Sequence, residues 1–199
     1  MQKRSERTRK QIMDSAVALF CEHGYDATSV AEICSAAGAS KGAFYHHFPS
    51  KQELFLGILN QWLEGVDARL FTQRKAGETV PELFTRMAKA LGFVFQEASG
   101  QLPMFMEFMV QASRDESVWA ATIAPYRRYQ QQFTALVAEG QVEGNIRKDI
   151  NPETTAQTFI SLGVGVLLQS VVDPSSANWE KVIKQGVASI IAHIQRSEK

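Results

Sequence analysis

Residues 28–53 read TSVAEICSAAGASKGAFYHHFPSKQE, and the order of capping, apolar and small residues in this stretch decides the fold. Ser29 and Glu32 have the spacing of a capping box, so a short helix is predicted to start at Thr28 or Ser29. Val30, Ile33, Cys34 and Ala37 form its inward face, and Gly38 breaks the chain. A second short helix is predicted from about Ser40 to His47, with Ala43, Phe44 and Phe48 inside and Pro49 closing it. Ser50 and Glu53 make another capping box. The Leu54, Ile58, Leu59, Leu63 pattern then carries a long helix to about Thr72. Two short helices joined by a tight glycine turn are a helix-turn-helix, in which the second helix enters the DNA major groove and the first braces it.

Side-chain direction leaves Ser40, Lys41, Tyr45 and His46 near or on the exposed side of that second helix. Gly42 and Ala43 are small enough to let the helix approach base edges or the sugar-phosphate wall. Helices this short need packing against neighbours on both sides in sequence. The same pattern also fits a plain helical hairpin with a solvated polar face. An outward Tyr45, adjacent histidines and flanking Lys41 and Lys51 weigh against that alternative.

Working outward, Ile12, Ala16, Leu19 and Phe20 recur on one face of a first helix that ends at His23-Gly24. Downstream, Pro81 opens a helix carrying Leu83 or Phe84, Met87, Leu91 and Val94, and Pro103 opens a short apolar one through Val110. A long helix is predicted over Glu116 to Glu139, kinked or divided at Pro125, followed by a turn region from Glu139 to Asp149. Two last helices, about 152–171 and 176–196, flank Asp173-Pro174. No strand-like alternation and no internal repeat is present. The fold class is therefore all-α, with about nine helices: a three-helix head over residues 1–50 and a larger helical body over 51–199.

Lys plus Arg and Asp plus Glu both number 21, so formal net charge is zero, which argues against a protein that coats nucleic acid non-specifically. Residues 1–10 nevertheless carry five basic side chains against one acidic, and residues 52–199 carry a slight acidic excess. Cys21 and Cys34 are too few for a disulfide framework. The basic amino terminus never leads into a hydrophobic segment, and the uncharged run Thr154–Val172 is broken by Gln157, Ser161, Gln169 and Ser170. That run reads as a buried helix rather than a membrane span, and a cytoplasmic protein is expected.

No glycine-rich phosphate loop, nucleophile elbow or zincin motif is present, so no catalytic residues are assigned and no enzyme activity is expected. No metal or cofactor is expected either. His46 and His47 point about 100° apart on a helix and have no ligand-type residue at i+4. A partly packed His47 beside an outward His46 is the simpler account.

The sequence resembles the TetR family of one-component transcriptional regulators. The resemblance is close over residues 8–55, carried by Ala36-Ala37-Gly38-Ala39-Ser40-Lys41-Gly42-Ala43-Phe44-Tyr45-His46-His47-Phe48 and Ser50-Lys51-Gln52-Glu53-Leu54. Beyond residue 55 it is architectural, in helix order and in the run Gly140 to Ile146 followed by Asn151-Pro152-Glu153. The resemblance implies base-edge or groove-wall contacts from Ser40, Lys41 and Gly42. It implies phosphate contacts from Tyr45, His46 and Lys51, with further phosphate hydrogen bonds from Thr28 and Ser29. Lys41 is the donor suited to guanine O6/N7. It also implies a homodimer on a palindromic double-stranded operator, a repressor's role, and a small-molecule effector.

Two apolar faces in the last two helices, with Phe159, Gly163, Leu167, Trp179, Ile183, Gly186 and Ile190, suit a four-helix bundle between two chains. Periodicity alone equally allows their burial within one chain; the resemblance favours pairing. Met87, Leu91, Phe95, Met104, Phe105, Phe108, Trp119, Tyr126, Tyr129 and Phe133 could line a cavity for a hydrophobic or aromatic effector, or simply pack as core. Glu107 stands among apolar neighbours and needs a partner: paired with Arg114 or Arg127 it is structural, whereas unpaired at a cavity wall it could meet a cationic ligand. A helical ligand-binding or scaffold protein without sequence-specific DNA binding is the alternative, and it requires the 40–51 surface to be incidental.

Overall fold

The computed structural model describes residues 2–71, 73–98 and 101–195, and their side chains except those of 2–3 and 92–98. Among the described residues the chain forms nine helices. They are α1 (Gln2–His23), α2 (Val30–Ala37), α3 (Lys41–His47), α4 (Lys51–Leu70), α5 (Val80–Ala98), α6 (Leu102–Ala112), α7 (Glu116–Glu143), α8 (Pro152–Val172) and α9 (Trp179–Ile194). Helix α7 continues through Pro125 as one element. It also runs past its expected end at Glu139 and through Gly140, and the left-handed residue that ends it is Gly144, at φ +81°.

The chain falls into two compact units, with divisions inside α4, between α5 and α6, and inside α7: Met1–Gly65 with Gly100–Ile123, and Val66–Ser99 with Ala124–Lys199. In the first unit α1 packs on α2, α3 and α6, and α2 packs on α3. Its core holds Ile12, Ala16, Phe20, Ile33, Phe44 and Leu54, all essentially without solvent contact. Phe55 of α4 stacks on Phe108 of α6 with ring centroids 3.9 Å apart, and Tyr25 meets Phe108 edge-on at 5.2 Å. Each large side chain buried this way contributes roughly 1.5–3 kcal/mol. That compensates for the marginal intrinsic stability of α2 and α3, which have only eight and seven residues.

In the second unit α5 packs against α9 and α8, and α8 against α9. Phe84 lies 4.5 Å from Phe159 and stacks on Phe133 at 5.8 Å, while Ile183, Val187 and Ile191 bury one face of α9. Tyr129 donates its hydroxyl to Asp67 Oδ1 at 2.6 Å, and Arg128 reaches Oδ2 of the same carboxylate at 2.6 Å. The carboxy-terminal end of α9 is tied down by an antiparallel bridge between Ile146 and Gln195, with Arg147 N–H donating to Ile194 O.

Helix α8 is long and apolar enough to cross a membrane by length and composition. Against the expectation of a buried helix, only one side of it is covered: Val164, Leu168 and Val172 stand exposed in the single chain.

Candidate nucleic-acid interface

The helix-turn-helix is built by local capping. Ser29 Oγ accepts the Glu32 N–H, and Glu32 Oε2 accepts both the Ser29 N–H and its hydroxyl at 2.7 Å, closing the predicted box. These bonds hold the Glu32 carboxyl below its ordinary pKa. Gly38, at φ +61°, caps α2, and its N–H and that of Ala39 return to carbonyls of the last turn. Ser40 caps α3 by accepting the Ala43 N–H at 3.1 Å. Phe44 and Phe48 then point into the core, which turns Lys41, Gly42, Tyr45 and His46 outward on one face.

That face is open. Tyr45 is 53% exposed although its ring lies edge-on to Phe44 at 5.2 Å. A Cβ added at Gly42 would meet only Ser40 Oγ, at 3.8 Å, so nothing inside the chain requires glycine there. His47 is half-buried, and burial, with His46 and Arg9 adding to it, pushes its imidazole below the ordinary pKa. The Arg9 guanidinium lies over the Phe48 ring at 5.1 Å and brings a cation from α1 to the end of α3.

Two expected phosphate contacts are turned inward. Thr28 is buried, and its hydroxyl donates to Gly24 O at 2.8 Å, with Leu19 O at 3.3 Å. The Lys51 ammonium donates to Tyr25 O at 2.8 Å, Thr28 O at 2.9 Å and Asp26 O at 3.4 Å, and sits 4.3 Å from the Tyr25 ring centroid. Burial pushes the Lys51 pKa below its ordinary value, and Asp26 and Glu107 act against that shift.

Residues 12–58 match the model for bacterial regulatory proteins of the tetR family, and residues 82–194 match the model for the BetI-type transcriptional repressor C-terminal domain. The chain belongs to the TetR family. It is therefore a DNA-binding, helix-turn-helix transcriptional regulator. It is 28% identical over 194 residues to the HTH-type transcriptional regulator UidR of Escherichia coli strain K12, spanning 98% of this chain and 96% of that one. It is 25% identical over 166 residues to the HTH-type transcriptional repressor DhaR of Mycobacterium sp. strain GP1, covering 83% of each. Among solved structures, Salmonella enterica GusR superposes with a TM-score of 0.72 at 24% identity, over 93% of this chain and 95% of that one. TylP, a TetR regulator from Streptomyces fradiae, superposes at 0.73 and 19% identity, over 97% and 89%. At these identities the two superpositions speak to the fold.

Several residues expected around an effector in this TetR regulator are core of the first unit. Met104 and Phe108 are buried there, and Phe105 and Trp119 pack against the same cluster. In the second unit Met87 is buried, Leu91 and Phe133 are half-buried, and Tyr129 is held by Asp67. Tyr126 is exposed and accepts a hydrogen bond from Gln157 Nε2 at 2.6 Å. The side chain of Phe95 lies outside the described residues. Glu107 takes two backbone amides as partners instead of an arginine: its oxygens accept the N–H of Tyr25 and of Asp26, each at 2.8 Å.

The residues expected at the pairing face also divide. Phe159 and Ile183 are buried within the chain, and Gly186 faces Leu162, whose methyls would lie 2.7 and 2.9 Å from an added Cβ. These three serve α5–α8–α9 packing. Gly163, Leu167, Trp179 and Ile190 are half-exposed. The exposed large apolar residues of α8 are Val164, Leu168 and Val172, at i, i+4 and i+8, and on α9 Val182 is exposed as well. A helix apolar on two sides gives no periodic signal for which side its own chain covers, so the exposure of Leu168 and Val172 is not legible in the sequence.

Proposed function

We propose that the protein is a homodimeric repressor that places the Ser40–His46 face of α3 in successive major grooves of a palindromic operator. Residues 1–50 carry DNA recognition, and 51–199 carry pairing and effector binding. The observation that carries this reading is the outward face of α3, where Lys41, Tyr45 and His46 flank a glycine that internal packing does not need. A helix interior glycine costs about 1 kcal/mol relative to alanine. Its presence at an open position suits close approach to a groove.

In this reading Lys41 reads a base edge, with Ser40 and Gly42 against the groove wall, while Tyr45 and His46 engage phosphates, joined by Ser29, the cap of α2, when its hydroxyl turns from Glu32. Repression is supported by the likeness of residues 82–194 to the BetI-type repressor C-terminal domain and by the relative DhaR, a transcriptional repressor. Pairing is supported by the open apolar stripe of α8, whose exposure in water a second chain would remove. A hydrophobic or aromatic effector, bound near Met87, Leu91, Tyr126 and Phe133, would act by preferring a dimer whose heads no longer match half-sites about 34–36 Å apart. Operator binding places the protein in the cytoplasm.

The test is selection of duplexes from a random pool by the purified protein at fixed salt. A palindromic winner bound at least about a hundredfold more tightly than scrambled duplex supports the reading. Weak binding that ignores sequence and vanishes with salt overturns it.

A further inference from the structure

The turn between α1 and α2 is held from its two polar sides by side chains from two other helices. Its amides point to α6, where Glu107 accepts the N–H groups of Tyr25 and Asp26. Its carbonyls point to α4, where the Lys51 ammonium takes those of Tyr25, Asp26 and Thr28. Gln111, one turn after Glu107, donates to the Asp26 carboxylate, so α6 grips the turn twice. Gly24 completes the arrangement. It stands at φ +86°, where an L side chain is strained, and a Cβ there would lie 2.8 Å from Glu107 Oε2, so any side chain would have to push the carboxylate off the turn.

We propose that Lys51 and Glu107 are positioning residues for DNA binding: together they set the turn from which α2 starts, and neither touches DNA. The proposal rests on the DNA-binding reading above and departs from the phosphate contact that the family resemblance implies for Lys51. An ammonium has three N–H donors, and three carbonyls together with the Tyr25 ring occupy its surroundings. Turning it outward to a phosphate would leave those carbonyls to find other partners and would loosen the start of α2. Because α2 packs on α3, displacement of that start moves the recognition face.

Two kinds of measurement test this. In the free wild-type protein, with no DNA present, limited acetylation read by mass spectrometry should modify Lys51 about tenfold more slowly than the exposed Lys41, as expected for charge-assisted hydrogen bonds. Addition of the selected duplex should slow Lys41 and leave Lys51 unchanged. Reaction of free Lys51 at the rate of Lys41, followed by protection on DNA, overturns the proposal.

The second measurement uses variants on the duplex selected by the wild-type protein. Failure of the wild type to select any duplex would count against the DNA-binding reading, while the acetylation of free protein still decides the clamp. Lys51→Met should weaken specific binding about tenfold with an unchanged dependence on salt, whereas loss of a phosphate contact would flatten the slope of log K against log salt by about 0.9. Lys51→Arg should not restore binding, because a planar guanidinium cannot cap three carbonyls, although it would serve a phosphate as well as lysine does. Glu107→Gln should reduce specific affinity and leave the affinity for scrambled duplex unchanged, since it exchanges one acceptor for a donor facing an N–H. A flattened slope, rescue by arginine, or equal loss on both duplexes overturns the proposal.

Discussion

Gly140 and Ile146 approach so closely that a Cβ on residue 140 would stand 2.6 Å from Ile146 Cδ1 and 2.8 Å from Cγ1. Ile146 is fully buried, and the Gly140 carbonyl accepts the N–H groups of both Asn145 and Ile146. The side chain therefore has little room to give. Gly140→Ala should destabilise the protein by about 1–3 kcal/mol through overpacking, against a gain in helix propensity of about 1 kcal/mol. Thermal unfolding checks the sign; a raised midpoint would mean that Ile146 repacks freely.

This glycine also shows what sequence conveys. Gly140 reads as a helix breaker when judged by local propensity, yet α7 continues to Glu143 because residue 140 is small for the sake of a side chain six positions later. By contrast, the segment from Ser29 to Lys51 is legible almost to the residue. Its boundaries are written in local chemistry: a capping box, a left-handed Gly38, the Ser40 cap and Pro49. What a sequence cannot display is which of two apolar faces its own chain covers, as with Phe159 and Leu168 on α8. Nor can it show that Lys51 and Glu107, 56 positions apart, close on one turn. Those relations belong to tertiary packing.

The α8 stripe gives a second prediction. Leu168→Glu places a charge on an exposed position of the chain and should leave helix content intact while shifting the protein from dimer to monomer in sedimentation. Phe159→Ala, at a buried site against Phe84, should instead cost about 3–5 kcal/mol of stability. A Leu168→Glu protein that remains dimeric would assign pairing to another surface.

Glu78 gives a pH dependence. The Arg86 guanidinium, bonded to Glu78 through Nε at 2.8 Å and Nη2 at 2.9 Å, holds its carboxyl down at about 2 against an ordinary value of 4.5. A depressed carboxylate contributes stability that is complete above the unfolded value and lost as pH falls through the folded one. Stability should therefore decline between pH 4.5 and about 2, and Glu78→Gln should flatten that decline. Equal acid sensitivity of variant and wild type would show the pair to be energetically idle.

Gly42 should reveal a conflict between stability and recognition. Gly42→Ala meets no obstacle in the chain and should stabilise α3 by up to about 1 kcal/mol. The same methyl stands where a groove wall is expected, so operator affinity should fall. Unfolding midpoints and duplex titrations on one preparation read both effects.

The most direct measurement for the central claim is the affinity of Lys41→Ala, relative to wild type, for the selected palindrome with each base pair substituted in turn. If Lys41 reads a base edge, discrimination is lost at one base-pair position, repeated symmetrically in the two half-sites, where the wild type discriminates by about 1–3 kcal/mol. A uniform weakening across all positions, with the preference profile intact, would contradict that reading and make Lys41 a phosphate contact.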